Sequence, residues 1–479
     1  MKRFMKWVWG GLACSLVLMT TAADLWAAPA FARMYRTSCM TCHEAFPRRN
    51  AVGEAFAMNG FRFADDETYR KQEPVELGDE AYKRLWPNSV WPSTLPSHMP
   101  LSVITRFMAE VDMDGTRDDT LMFVFPEELE LLWPGTLGDN ISFYGDIIFV
   151  QKDFGGNDIE SWAQLKAWLE FQDLIGPERS VNLRVGSVGM QSMGLYTALD
   201  ENNIYTHYYL YSSWMMPDIK VEKTSLTDFQ GNPFSIGPQL GLELNGRGKH
   251  WLYAAGLVSG NVKNAGDEDP EDDIFFVGAG DGNGVKDLYF QCAYKIGGLG
   301  FDGSGAEVEN PLTARPEFWR DDSFIISLYG YTGTAKIDIE DGLGETWNGD
   351  DDFWRLALGF QQKYKDLTLG AGYMIGRNDN PYGYLSTESV DSKTWFVEAS
   401  YFVYPWLIPY GRYEALDLDL PKDVPGLNPD QDSARFVYGC RAMIRANVSL
   451  NIESTYYVDG ADLDEGIDNT LFILLSASF

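Results

Sequence analysis

From Leu101 to the C-terminal Phe479 the chain keeps returning to one pattern: a stretch of strand length in which apolar and polar residues alternate, closed off by Gly, Asn, Asp or Pro. A period of two sends successive side chains to opposite faces of an extended strand, so each stretch has one apolar face and one polar face. In Ser102–Asp112 the apolar face holds Val103, Phe107, Ala109 and Val111, and the other holds Arg106, Glu110 and Asp112. Between Ala163 and Gln172, residues Ala163, Leu165, Ala167, Leu169 and Phe171 oppose Gln164, Lys166, Glu170 and Gln172. Trp354, Leu356, Leu358 and Phe360 oppose Arg355, Gln361 and Lys363. Phe436, Tyr438, Cys440, Ala442 and Ile444 oppose Arg435, Arg441 and Arg445, while Leu450 and Ile452 oppose Asn451 and Glu453.

About sixteen or seventeen such stretches follow one another, and the even strand numbers of single-chain bacterial barrels select sixteen. Soluble β-sandwiches alternate too. Three features point instead to a lipid-facing barrel. The apolar face carries aromatic residues toward its ends, as at Trp395-Phe396 and Tyr456-Tyr457, which suits girdles at the lipid boundary. The opposite face carries charges of both signs, which suits a wet or plugged lumen. The last stretch has Leu471, Ile473, Leu475, Ala477 and the terminal Phe479 on one side, an end that resembles the aromatic signature by which outer-membrane barrels are recognised for assembly. The expected fold class is therefore all-β, a transmembrane antiparallel β-barrel of about sixteen strands, preceded by a small α-helical segment that plugs the lumen.

The first 28 residues read as a secretory signal, with a basic start at Lys2, Arg3 and Lys6, an apolar run and small residues that allow cleavage after Ala23, Ala27 or Ala28. Cys14 is a poor lipidation site because Gly11 stands where a large aliphatic residue is wanted. Beyond the signal no stretch approaches the roughly 18 apolar residues of a spanning helix. The expected location is the outer membrane, with its lipid as a partner. A formal net charge of -32, from 38 Lys and Arg against 70 Asp and Glu, excludes a nucleic-acid partner. The acid is concentrated in Asp267–Asp273, Asp338–Asp352 and Asp417–Asp432, each beside Gly, Pro or Asn, as in solvated loops.

Between the signal and the first strand stands Ser38-Cys39-Met40-Thr41-Cys42-His43, the C-x-x-C-H arrangement of c-type haem attachment. Two thiols three positions apart on a short turn can each form a thioether to a haem vinyl group, and the following imidazole then faces the iron. A redox C-x-x-C would expect a βαβ context, and a zinc site would need a second ligand pair. The four histidines, at 43, 98, 207 and 250, supply no such pair. Once Cys14 is removed with the signal, only Cys39, Cys42, Cys292 and Cys440 remain, too few for a disulfide framework. For the distal position, Met58 would raise the potential and His98 would give a lower one; an ordinary core methionine, a loop histidine and an open iron site are the competing readings. About 70 residues, 29–100, are too few to enclose a haem, so the barrel must supply a wall. An even strand number leaves both barrel ends at the periplasmic mouth, from which the segment folds into the lumen toward inward-facing Arg and Glu residues that hold the propionates.

The block Phe31-Ala32-Arg33, Ser38 to His43, Phe46-Pro47, Asn50, Gly53, Phe56 and Asn59-Gly60-Phe61 resembles the start of fused monohaem cytochrome-porins of the bacterial outer membrane. The best-known members are iron oxidases, and similar proteins occur in metal-reducing bacteria. Gly241–Gly246, Tyr253–Gly256, Gly260-Asn261 and Gly297–Gly303 are similar to the strand and turn pattern of the porin part. The resemblance implies a signal at 1–28, a monohaem segment at 29–100 and a porin-like barrel at 101–479. It also implies one covalent haem c on Cys39 and Cys42 with His43 as proximal ligand. The implied function is electron transfer across the outer membrane, between periplasmic c-type cytochromes and an extracellular donor or acceptor such as Fe(II) or a metal oxide. Direction of flow, and whether the chain works as an Fe(II) oxidase, stay open. The rival readings are a passive channel with a structural haem and peroxide reduction at a five-coordinate haem, although no distal His-Arg pair is evident near the motif.

Overall fold

The computed structural model describes residues 30–46, 48–63, 75–76, 94–95, 100–115, 120–138, 140–153, 159–189, 228–229, 239–260, 274–276, 284–305, 317–340, 346–383, 386–422, 432–459 and 469–479. Sixteen long strands carry the fold. They begin with β1 (Ser102–Asp112), β2 (Leu121–Leu132), β3 (Ile141–Asp153) and β4 (Ile159–Phe171). Next come β5 (Asn182–Val188), β6 (Gln239–Arg247), β7 (Trp251–Val258) and β8 (Asp287–Gly297). The longest are β9 (Ser323–Glu340) and β10 (Thr346–Tyr364), then β11 (Leu367–Asn378) and β12 (Val390–Tyr401). The series ends with β13 (Leu407–Asp419), β14 (Ser433–Arg445), β15 (Val448–Asp459) and β16 (Thr470–Ser478).

Each of the sixteen pairs antiparallel with its neighbours, and β16 pairs with β1 through Leu475↔Phe107, so the sheet closes into a barrel. Closure removes the open edges that a sheet cannot leave unpaired in lipid. The seam continues past the strands: Val103 and Phe479 exchange backbone hydrogen bonds of 2.6 and 2.8 Å. Both ends of the barrel chain therefore meet at one rim. Three short pieces supplement the ring, Gly135–Leu137 beside β3, Asp228–Phe229 at the far end of β9, and Ile274–Phe276, which runs parallel to β4. That last piece lies where β5 is too short to cover β4, and its parallel pairing departs from the antiparallel expectation.

Alternation decides which face is which. In β10, Trp354, Leu356, Leu358 and Phe360 are exposed on the outside, while Arg355, Gln361 and Lys363 are buried inside. Across β11–β15 an outer row of rings, Tyr373, Trp395, Tyr413, Phe436 and Tyr456, crosses neighbouring strands, with Trp395 and Tyr413 at 5.2 Å and Tyr413 and Phe436 at 4.6 Å. Beyond the row, outward positions turn charged, as at Lys393 and Asp417. A second set, Trp251, Tyr294, Tyr364, Tyr401 and Trp406, is exposed near the rim where the chain ends meet. These belts are the girdles expected of a lipid-embedded barrel. Two details differ from the sequence expectation. Phe396 faces the lumen at 2% exposure and Tyr457 is half-buried, because adjacent residues of a strand cannot share a face. Arg445, expected inside, is exposed at the last position of β14.

Residues 30–63 close the mouth at the rim of the chain ends. The segment contains helix α1 (Ala30–Tyr35), a 3-10 turn at Cys39–Thr41, a two-strand ladder of His43–Ala45 with Arg48–Arg49, and helix α2 (Ala51–Met58). Asn50 caps α2 by accepting from the Gly53 N–H at 2.9 Å. The helix stops at Met58 because Gly60 and Phe61 both adopt φ of +63°. The segment has a small core of its own, with Met34, Tyr35, Phe56 and Phe63 packed against Phe31, Cys42 and Phe61.

Its outer surface meets the barrel wall in several directions. Ala30 N–H donates to Ser102 Oγ at 2.7 Å on β1, and Phe61 stacks on Trp168 of β4 at 5.7 Å. Asn59 accepts from Arg247 Nε of β6 at 3.0 Å, and Arg48 donates to Ser400 Oγ of β12 at 3.0 Å. Ala45 and Phe46 pack with Ile104, Ile408 and Met443 of β1, β13 and β14. Gly60 lies so close to Gln172 that an added Cβ would overlap its amide. The expected plug is present, and these contacts place it in the mouth. Among the described residues no helix is long and apolar enough to cross a membrane. The signal segment, Cys14, His98 and His207 lie outside the described residues, as does the acidic run Asp267–Asp273.

Candidate functional site

The Cys39–His43 motif forms a rigid turn inside the plug. Ser38 Oγ accepts from Met40 N–H at 3.3 Å, and Thr41 and Cys42 N–H close the turn on Ser38 and Cys39 carbonyls at 3.0 and 3.1 Å. Asn50 ties the turn to α2 from the other side. Its backbone N–H donates to Cys42 O at 2.9 Å, and its amide donates to Thr41 O at 3.1 Å. Gly53 is the contact point of the helix: a Cβ there would collide with the Cys42 carbonyl oxygen and lie 3.1 Å from its Cα. The one residue without a side chain stands where helix and turn are closest.

Cys39 and Cys42 are both free thiols and both partly accessible. Burial pushes the Cys39 thiol up from its ordinary value. Cys42 is pushed up to about 12, first by burial and then by the neighbouring Cys39, against the opposing pull of Arg49. His43 follows as the first residue of the short ladder, with its ring 5.4 Å from that of Phe46. The turn thus presents two sulfurs not joined in a disulfide and an imidazole within five consecutive residues. This donor set suits covalent attachment and axial ligation of a c-type haem. Among the described residues, no cluster of three or more His, Cys, Asp and Glu is arranged for a metal ion.

Met58 is buried in a different place from Cys42. It ends α2 and joins a cluster with Leu252, Phe301, Tyr329 and Phe353, which are wall and rim residues, whereas Cys42 belongs to the core of the plug itself. That cluster reveals something the alternation did not. The inner face from β8 to β13 is partly apolar, with Tyr289, Tyr329, Phe353, Met374, Phe396 and Leu416 all buried there.

Next to His43 lies a charged contact that spacing could not reveal. Glu44, fully buried, receives Lys363 Nζ of β10 on one carboxylate oxygen and approaches Arg48 Nε at 2.9 Å with the other. The Arg48 approach is an ion pair without hydrogen-bond alignment, since that oxygen has no hydrogen-bond donor. On the opposite wall, Glu170, Arg184, Glu243 and Arg247 form a fully buried network, with Arg184 and Glu170 at 2.6 Å, and Asn59 of the plug hydrogen-bonds to Arg247. Cys292 and Cys440 both sit on the outer face.

No family model and no curated protein matches the chain. Solved porins are similar to it in shape. OmpT of Vibrio cholerae, in a trimer form, is 11% identical with a TM-score of 0.46, covering 80% of this chain and 99% of its own. Salmonella typhi OmpF, in a complex with daunomycin, is 11% identical with a TM-score of 0.48, covering 79% and 97%. The anion-selective porin from Comamonas acidovorans is 11% identical with a TM-score of 0.46, covering 80% and 99%.

Proposed function

We propose that the chain transfers electrons across the outer membrane through one haem c, joined by thioethers at Cys39 and Cys42, with His43 as its proximal ligand. The observation that carries this reading is the Cys39–His43 turn itself, two cysteines without a disulfide followed at once by a histidine, its backbone held by Asn50 and Gly53 inside a plug seated in a lipid-embedded barrel. When bound, the haem supplies a reversible one-electron change at iron. The chain's own residues do the rest. The turn and α2 hold the Cys39–Cys42 backbone in place, the plug core of Phe31, Phe56 and Phe63 packs against Cys42, and the barrel wall provides the enclosure that so short a segment lacks.

The plugged mouth is the rim where the chain ends meet. Its connections include 248–250, 365–366 and 446–447, whereas the opposite rim carries 189–238 and 259–286. Short periplasmic turns and long external loops are the habit of such barrels, so the plug faces the periplasm. Periplasmic c-type cytochromes exchange electrons there, and an extracellular donor or acceptor such as Fe(II) or a metal oxide is served from the acidic side. Redox titration of the purified barrel with haem spectroscopy tests this: a covalently retained chromophore with a reversible one-electron wave supports it, and a colourless chain after denaturation refutes it.

A passive channel is the second reading, and the inward charges of both signs, as in Arg184–Glu170 and Arg435–Glu414, favour it. Conductance in planar bilayers separates the two. A mouth sealed by the contacts of residues 30–63 passes little current, and an open porin passes much.

A further inference from the structure

The plug meets β10 and β12 with an uneven charge. Two cations, Arg48 and Lys363, share one carboxylate, Glu44, and all three side chains are 10% exposed or less. A third cation, Arg441, donates to Ala45 O at 3.3 Å and to Asn451 Oδ1 at 3.1 Å, and stands near charges of both signs, Arg48 and Arg106 as well as Glu453, so it does not correct the imbalance. One positive charge is left over in a buried place, where an uncompensated ion costs several kcal/mol. The surplus has an address. Arg48, 6% exposed, donates through Nη1 to Ser400 Oγ at 3.0 Å and pairs by charge alone with Glu44 through Nε, while its Nη2 is buried with no hydrogen-bond partner. A guanidinium anchored at one nitrogen with a buried donor unused is arranged to receive a carboxylate oxygen.

We propose that Arg48 seats a carboxylate of the group tethered at Cys39 and Cys42, a haem propionate, with Ser400 fixing the guanidinium from the barrel side. The inference rests on the haem reading above. It explains why Arg48 stands five residues after His43 and reaches across to β12 rather than outward to water. It also gives the barrel a direct part in tuning the iron. Pairing with Arg48 cancels the propionate's charge, and an unpaired propionate would stabilise the ferric state.

The test is the midpoint potential of the complete membrane-embedded protein, read optically. Arg48→Gln is expected to lower the reduced-to-oxidised ratio at fixed potential by tenfold or more, which is about 59 mV for one electron. Arg48→Lys, which keeps the charge, is expected to stay within threefold of wild type. Ser400→Ala, which leaves Arg48 in place but unanchored, is expected to shift the potential in the same direction by a smaller amount, and it decides the question if Arg48→Gln does not assemble. A retained chromophore with an unchanged potential in Arg48→Gln, or in Ser400→Ala where that variant decides, overturns the Arg48 seat and leaves the haem reading standing. A potential that responds equally to Arg48→Gln and Arg48→Lys also overturns it. A wild-type chain without covalent chromophore overturns both.

Discussion

Neutralising Glu44 should release the plug and spare the barrel. Glu44 is fully buried between Lys363 on β10 and Arg48 on the plug, and Glu44→Gln keeps its shape while removing its charge. Two cations of 10% and 7% side-chain exposure would then face each other across an amide. Removing one partner of a buried ionic group costs about 3–5 kcal/mol, and the lower end applies because the amide oxygen still accepts from Lys363. At about 1.4 kcal/mol per tenfold, the opening constant of the plug rises about 100-fold or more. The cost falls on the plug because β10 and β12 are laddered on both sides, while residues 30–63 are held by scattered side-chain contacts. Amide hydrogen exchange reads this directly. Asn50 N–H, bonded to Cys42 O at 2.9 Å, and Glu54 N–H, bonded to Asn50 O at 2.9 Å, should exchange about 100-fold faster, while amides of β11 hold their rates. Adding Lys363→Gln should recover part of the loss, as expected for a directly coupled pair. Unchanged plug amides would refute the electrostatic argument, and equal acceleration in β11 would refute the independence of plug and barrel.

Gly53→Ala drives a methyl group into the Cys42 carbonyl; overpacking of about 1–3 kcal/mol should outweigh the helix gain of about 1 kcal/mol, and exchange at Asn50 N–H should rise. Thiol titration of the denatured mature protein should find two reactive cysteines, Cys292 and Cys440; four would show that Cys39 and Cys42 carry no thioether. In a haem-free folded chain, Cys42 should resist alkylation at pH 8, because burial pushes its thiol up to about 12 from the ordinary 9.0. The folded state then keeps a proton that the unfolded state gives up, so plug stability is full below pH 9.0 and is lost as pH rises toward 12, which denaturant melts at a series of pH values would show.

Period-two alternation placed the lipid face correctly at Phe107, Leu169, Trp354 and Ile452, because burial of one face leaves register little freedom. It failed where both faces are apolar. In Phe324-Ile325-Ile326 of β9, alternation is weak, and the inner apolar wall around Tyr329 and Phe353 emerges only from the barrel's closure. The Cys39–His43 turn was legible because its chemistry is local. Its anchors were not: Lys363 lies 319 residues from Glu44 and Ser400 lies 352 from Arg48, separations that leave no trace in spacing. The stop of α2 is legible in Asn59-Gly60, a common helix terminator.

Those separations also set an order of events in the life of the chain. Ala45 finds its partner Arg441 only after a further 396 residues have been made. The plug precedes the barrel in the chain, yet its berth is the last to be complete, since that berth draws on β1 and β14 alike. Throughout the interval the sulfurs of Cys39 and Cys42 have no cylinder around them. Any enzyme that modifies them therefore has the whole of that interval in which to act, and the closing of the sheet ends its access.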